Sequence, residues 1–226
     1  MRRARYIDWD GKQKLRLDPE EVFQAFAEAL SHTDDARAAL EMLMRDGFAG
    51  AEAQVMGLEE LREQLAEERR RLTESVNLHH ALDELAEKLS GVVAEERRAR
   101  ENPQRDEERV REEQAFLDDL GSRLSTALER ILSRHEFAST ESRRELEELA
   151  GLLDSIRRVE EAQRRLAHRL RGPVSLDFEQ TLALLDRLEA LDRIDEALAN
   201  NDMSSVDPAE LGSLLGVDAQ AGLEAL

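Results

Sequence analysis

Between Ser139 and Arg171 the chain reads STESRRELEELAGLLDSIRRVEEAQRRLAHRLR. Its apolar residues Leu146, Leu149, Leu153, Ile156, Val159, Leu166 and Leu170 recur at steps of three, four or seven. That is the period of one helix face, not of a strand. Glu and Arg fill half of the positions between them, where i,i+4 pairs support a solvated face. Ser139 or Thr140 can cap the start, and Gly172-Pro173 stops the run. The spacing predicts one helix of roughly 50 Å, at about 1.5 Å per residue.

The same period extends in both directions. Upstream, Val110, Leu117, Leu120, Leu124, Leu128 and Ile131 predict a long helix from about Asp106 to His135. Asn102-Pro103 marks a boundary before it, because proline disfavours helix in the preceding residue. Leu58, Leu61, Leu65, Leu72 and Val76, then Leu78, Leu82, Leu85, Leu89 and Val92, stripe residues 58–101. Glu68 takes one seam position there, and Asn77 either breaks or re-caps the helix. Near the N-terminus, Asp18-Pro19-Glu20-Glu21 opens a short helix with Val22, Phe23, Phe26, Ala27 and Leu30 on one face. Thr33 or Asp34 caps a second, carrying Ala36, Ala39, Leu40, Leu43 and Met44, and Asp46-Gly47 ends it. Downstream, Ser175 is expected to cap a helix burying Phe178, Leu182, Leu185, Leu188, Leu191, Ile194 and Leu198. Asn200-Asn201-Asp202 closes it, and Asp207-Pro208 opens a short helix ending near Gly216. Another begins around Asp218 and stops in mid-pattern at Leu226, which predicts a longer native chain.

These readings predict an all-α fold: an elongated helical bundle with long antiparallel coiled-coil-like helices and a small N-terminal helical hairpin. The expected divisions are a basic arm and hairpin over 1–57, a long-helix bundle over 58–171, and a shorter acidic helical group over 172–226. Composition agrees. Among 226 residues there are 36 Leu and 29 Ala against 14 Val plus Ile, so strong helix formers abound and sheet formers are few.

Charge narrows the partners. The net charge is −19, yet residues 1–17 carry six basic side chains against Asp8 and Asp10. A body this acidic repels phosphate backbones, so neither nucleic acid nor an anionic membrane is the expected partner. The basic arm is suited instead to an acidic protein surface, its own helices included. With no cysteine, disulfides and thiolate metal sites are excluded. No apolar core follows the basic start, and no uncharged stretch approaches the roughly 18 residues of a membrane span. A cytoplasmic setting is expected.

Chemistry-bearing patterns are sparse. The residues three before His32, His79, His80, His135 and His168 are Ala29, Val76, Asn77, Leu132 and Arg165, so no Glu-x-x-His pair exists. His79 with Asp83 and His80 with Glu84 are i,i+4 pairs, of a kind common on acidic helices. Gly11-Lys12 lacks the upstream glycine and the following Ser or Thr of a phosphate loop. Gly212-Ser213-Leu214-Leu215-Gly216 misplaces its serine for a nucleophile elbow and reads as a helix end. No catalytic activity, cofactor or metal is expected in this chain. Tyr6 and Trp9, its only tyrosine and tryptophan, lie in the basic arm with Arg2, Arg3 and Arg5. These five are the candidate partner-binding residues; the rings either pin the arm to the bundle or anchor it in a partner.

The arm sequence Tyr6-Ile7-Asp8-Trp9-Asp10-Gly11-Lys12-Gln13, followed by a hairpin ending Ala38-Ala39-Leu40-Glu41-Met42-Leu43-Met44-Arg45-Asp46-Gly47-Phe48, resembles a known group. It is similar to the start of bacterial proteins that carry a C-terminal von Willebrand factor A (VWA) domain and are associated with MoxR-type AAA+ ATPases. The stretches Pro173–Asp177, Leu188–Ile194 and Val206–Leu211 with Leu214-Leu215-Gly216 resemble helices that precede that domain. The resemblance implies a helical, non-catalytic interaction region, an adaptor or client-recruiting module, working beside the ATPase in a chaperone-like role. The group's metal site uses Asp-x-Ser-x-Ser; here Asp202-Met203-Ser204-Ser205-Val206 places Val206 at the last serine. Its magnesium ligands therefore map onto no position of this chain. A self-associating coiled-coil protein, a homo-oligomer, is the alternative.

Overall fold

The computed structural model describes residues 18–50, 54–100, 111–112, 115–117, 120–121, 123–134, 139–200 and 202–215. Helices dominate: α1 (Pro19–His32), α2 (Ala36–Asp46), α3 (Leu58–Ser75), α4 (Asp83–Arg100), α5 (Leu124–Arg134), α6 (Thr140–Gly151), α7 (Leu153–Leu166), α8 (Phe178–Ala199) and α9 (Pro208–Leu215). Among the described residues four very short strands accompany them: β1 (Gly47–Ala49), β2 (Gln54–Met56), β3 (Val76–Asn77) and β4 (Val174–Ser175). The helical class expected from the leucine stripes is the class found. Among the described residues no helix is long and apolar enough to cross a membrane.

Several boundaries follow the cap chemistry. Asp18 accepts a hydrogen bond from the Glu20 amide at 3.0 Å, with Pro19 in the first turn of α1. Ser139 caps α6 through the Ser142 amide, and Asp207 caps α9 through the Ala209 amide. Other caps differ from expectation. Asp35, rather than Thr33 or Asp34, caps α2 through the Arg37 amide. Asp177, rather than Ser175, caps α8: its carboxylate accepts from the Gln180 amide while the Gln180 side chain accepts from the Asp177 amide. That reciprocal box satisfies two otherwise orphaned amides, and it leaves Ser175 to β4.

The two longest predicted helices are interrupted. Leu152, at φ −97° and ψ 2°, separates α6 from α7, so Ser139–Arg171 is not one rod. The stretch expected from Asp106 to His135 is not one continuous helix: Leu120, Gly121 and Arg123 are non-helical, and Gly121 adopts a φ of +89°. There the Glu160 carboxylate, reaching from α7, accepts from both the amide and the hydroxyl of Ser125 and so caps α5.

The chain divides into two compact units. One comprises the chain up to Arg71 and from Arg187 onward; the other is Leu72–Asp186. In the first, α1 packs on α2 and a β1–β2 antiparallel pair follows, with Phe48 opposite Val55. α3 and α8 are tied there by Arg62–Asp195 at 2.9 Å, Arg69–Asp192, and a part-buried pair, Glu68–Arg187, at 2.8 Å. In the second unit, α4, α5, α6 and α7 pack together and bury Leu89, Val92, Leu128, Ile131, Leu146, Ile156 and Val159. A parallel β3–β4 pair lies in the same unit. Asn77 organises it: its side chain donates to the Gly172 carbonyl at 2.9 Å and accepts from the Ser175 hydroxyl at 3.0 Å.

Candidate functional site

The first unit carries the surfaces that stand out, on the α1–α2 hairpin. Its two helices meet through small side chains: Ala29 and Ala39 are the buried residues of α1 and α2. Such a seam is narrow, and both helices carry more apolar residues than it can cover. Phe23 is 68% exposed and Leu40 50%, with Leu30 and Met44 also exposed. Phe23 and Leu30, seven apart, share one flank of α1; Leu40 and Met44, four apart, share one flank of α2. These were expected in the core stripes, and the structure puts them in solvent instead. Among the described large hydrophobics the remaining exposed ones are Leu132 and Val174.

The other flank of α1 lines a cleft of about 570 Å³. Glu21, Ala25, Glu28 and His32 face it from α1, Met42, Leu43 and Asp46 from α2, and Phe48 from β1. Because the cleft takes up the opposite flank of each helix, the exposed Phe23–Leu30 and Leu40–Met44 pairs lie on the far side of the hairpin. The turn that brings Phe48 over requires two glycines. Gly47 has a φ of +68°, and a Cβ there would sit 2.2 Å from the Val55 carbonyl oxygen. A Cβ on Gly57 would lie 2.2 Å from the Arg45 carbonyl oxygen. The Asp46–Gly47 stop was legible as a helix end; the β1–β2 pair behind it was not.

Electrostatically the cleft is acidic. Asp46 accepts from Arg45 Nε at 2.7 Å and Nη2 at 2.9 Å. Those guanidinium hydrogen bonds hold its carboxyl below the ordinary aspartate range. His32 Nδ1 lies 2.8 Å from the Glu28 carbonyl, at the helix end where a histidine also suits the dipole.

The remaining candidates resolve plainly. Tyr6, Trp9, Arg2, Arg3 and Arg5 lie outside the described residues. His80 pairs with Asp83 at 2.6 Å, while Glu84 pairs with Lys88 at 3.0 Å, so the i,i+4 pairings noted in the sequence do not form. Among the described residues no group of three or more His, Asp or Glu converges to hold a metal ion. Asp202 accepts from the Ser204 hydroxyl at 2.7 Å and its carbonyl from Ser205 at 2.9 Å. These bonds, the Ser204 side chain foremost, lower its pKa and close a local 3₁₀ turn, Met203–Ser205. Ser213 lies within α9.

No family model, curated protein or solved structure matches the chain.

Proposed function

We propose that the chain is a non-catalytic protein-interaction module whose docking surface is the exposed apolar face of the α1–α2 hairpin. The observation that carries this reading is the clustering of Phe23, Leu30, Leu40 and Met44 in solvent on one short hairpin. A contiguous apolar face rimmed by polar residues is a surface that a partner covers, and an aromatic at its centre is a common anchor. The resemblance of the arm, hairpin and C-terminal helices to VWA proteins supplies the partner: a MoxR-type AAA+ ATPase, in the cytoplasm, with the module acting as adaptor or client recruiter.

The test uses the purified chain and a purified MoxR-type ATPase, co-eluted without nucleotide, with ADP and with a non-hydrolysable ATP analogue. Association in at least one state is expected. Phe23→Glu combined with Leu40→Glu should weaken it about 30-fold or more, the scale of losing a hot-spot anchor of about 2 kcal/mol. Absence of co-elution in every state overturns the ATPase assignment. Self-association as a long coiled coil is the competing reading, resting on the stripes over 58–101 and 106–171. Leu85, Leu89, Leu128, Leu146 and Ile156 of those stripes are already buried within the chain, which favours the module. Light scattering separates the two, since a coiled-coil oligomer would change mass with concentration.

A further inference from the structure

In a chain with 51 acidic residues, the longest stretch free of aspartate and glutamate is residues 162–176, AQRRLAHRLRGPVSL. It carries Arg164, Arg165, Arg169 and Arg171, all exposed. Arg164 is paired with Glu161. Arg165, Arg169 and Arg171 have no ion-pair partner among the described residues, whereas most other described arginines do, as in Arg62–Asp195 and Arg143–Glu147. The acids that border the stretch are already committed, Glu161 to Arg164 and Asp177 to the cap of α8. The helix dipole suits cations in the last turn of α7, at Arg164 and Arg165, but Arg169 and Arg171 lie past that turn.

These arginines stand on a fixed platform. Leu170 is buried, and the Gln163 side chain donates to the Leu78 carbonyl at 2.7 Å. The Arg169 and Leu170 amides donate to the Leu166 carbonyl at 2.8 and 2.9 Å. The helical path therefore runs on past α7 and sets Arg165 and Arg169 one turn apart on one side. Gly172 then ties the chain to β3, its amide donating to the Val76 carbonyl at 2.8 Å. Like charges one turn apart repel, and among the described residues no carboxylate relieves them. Three residues past Arg171, Val174 is 54% exposed. Fixed guanidiniums and an exposed apolar side chain match a segment that brings carboxylates and an aliphatic residue together. A nucleic-acid strand fits less well, because four arginines neutralise at most about four phosphates while a net charge of −19 repels the rest.

We propose that the end of α7 and the turn after it, Arg165, Arg169 and Arg171 with Val174, form a docking surface for an acidic, aliphatic-bearing segment of another protein. This surface belongs to the unit Leu72–Asp186 and is independent of the hairpin reading, which concerns the other unit.

Fluorescence anisotropy of a dye-labelled eight-residue peptide, six glutamates around two leucines, tests this with the intact chain in about 50 mM NaCl. Binding with a dissociation constant on the order of 100 μM or tighter is expected. The same peptide with glutamine for every glutamate should not bind. Arg165→Glu with Arg169→Glu should weaken binding about tenfold, the size of two exposed ion pairs lost. Arg98→Glu with Arg143→Glu makes an equal change of net charge at exposed positions of α4 and α6, and should alter binding less than about twofold. Far-UV circular dichroism checks that both variants keep their helices. Four outcomes overturn the proposal: no binding up to about 1 mM chain, equal binding of the glutamine peptide, equal loss in the two variants, or tighter binding of an eight-nucleotide oligothymidine than of the acidic peptide. The last would make the arginines a surface for phosphate backbone.

Discussion

Glu68 is the residue whose position asks most of its neighbours. It occupies a seam position on α3 where the leucine pattern calls for an apolar side chain, and it is buried. A carboxylate there needs partners, and it has two: Arg71 Nη2 at 2.7 Å, one turn along the same helix, and Arg187 Nη2 at 2.8 Å from α8. The same Arg187 nitrogen also donates to the Leu214 carbonyl at 2.7 Å, at the last turn of α9, where carbonyls lack helical partners. Arg187 Nε is buried without a hydrogen bond among the described residues, so the guanidinium is committed to this place without being fully satisfied there. Breaking such a pair from one side strands the other charge, which is worse than removing both. Glu68→Ala should therefore destabilise the chain by about 2 kcal/mol, discounted from a fully buried pair because Arg187 keeps some exposure. Glu68→Leu with Arg187→Met should lose less than the two single changes together. Urea denaturation of wild type, Glu68→Ala, the two single changes and the double change measures it; strictly additive losses would mean that the pair is not coupled. The seam anomaly was visible in the sequence as Glu68 out of pattern. Its partner was not, because Arg187 lies 119 residues away and ordinary helix periodicity gives no signal for the pairing.

At the level of elements, glycines separate what periodicity predicts from what tertiary packing imposes. Helix stripes were readable because leucine spacing and caps act locally, and Asp18, Ser139 and Asp207 do cap where the sequence puts a capping residue. The β3–β4 pair was unreadable because it joins Asn77 to Ser175, and two-residue strands carry no alternation to detect. Its clue was Gly172, read as a helix stop when its stronger reason is close approach. A Cβ there would lie 2.0 Å from the Ser75 carbonyl carbon and 2.1 Å from the Val76 nitrogen. The breaks at Leu152 and Gly121 were hidden for a related reason: a period-3.6 stripe can continue through a short interruption when both sides face the same core. Gly172→Ala and Gly91→Ala therefore make an informative pair. Gly91 sits inside α4, and a methyl group added there would meet nothing within 4 Å, so alanine should stabilise by about 0.5–1 kcal/mol through helix propensity. At Gly172 alanine should destabilise by several times that, since backbone must move and the Asn77 hydrogen bonds go with it. Thermal melts followed by circular dichroism rank both against wild type. Equal and small effects would mean that the strand pair is not held by that contact.

Across the whole molecule the decisive quantity is charge. Fifty-one acidic against 32 basic residues leave a chain that repels itself, while many of its ion pairs join well-exposed side chains, such as Arg37–Glu41 and Arg144–Glu148. Exposed pairs contribute about 0–1 kcal/mol each and are screened by salt, whereas self-repulsion acts over the full surface and grows with net charge. Repulsion should win near neutrality. Lowering the pH from 7 toward about 5 reduces the negative charge and should raise stability, and the rise should shrink in about 1 M NaCl, where the Debye length falls to about 3 Å. Further acidification has the opposite sign. Asp46, Glu67 and Asp202 are held below their ordinary values, by Arg45, Arg70 and Ser204 respectively. Carboxyls depressed in the folded state bind fewer protons there than in the unfolded chain. Their contribution is complete above the unfolded pKa and disappears as pH falls through the folded one. Below the ordinary carboxylate range stability should therefore drop, giving an optimum on the acid side of neutrality. Urea midpoints taken across this pH range at low and high salt test the balance. A monotonic fall from pH 7 downward would mean that the ion pairs, and not the repulsion, govern the fold.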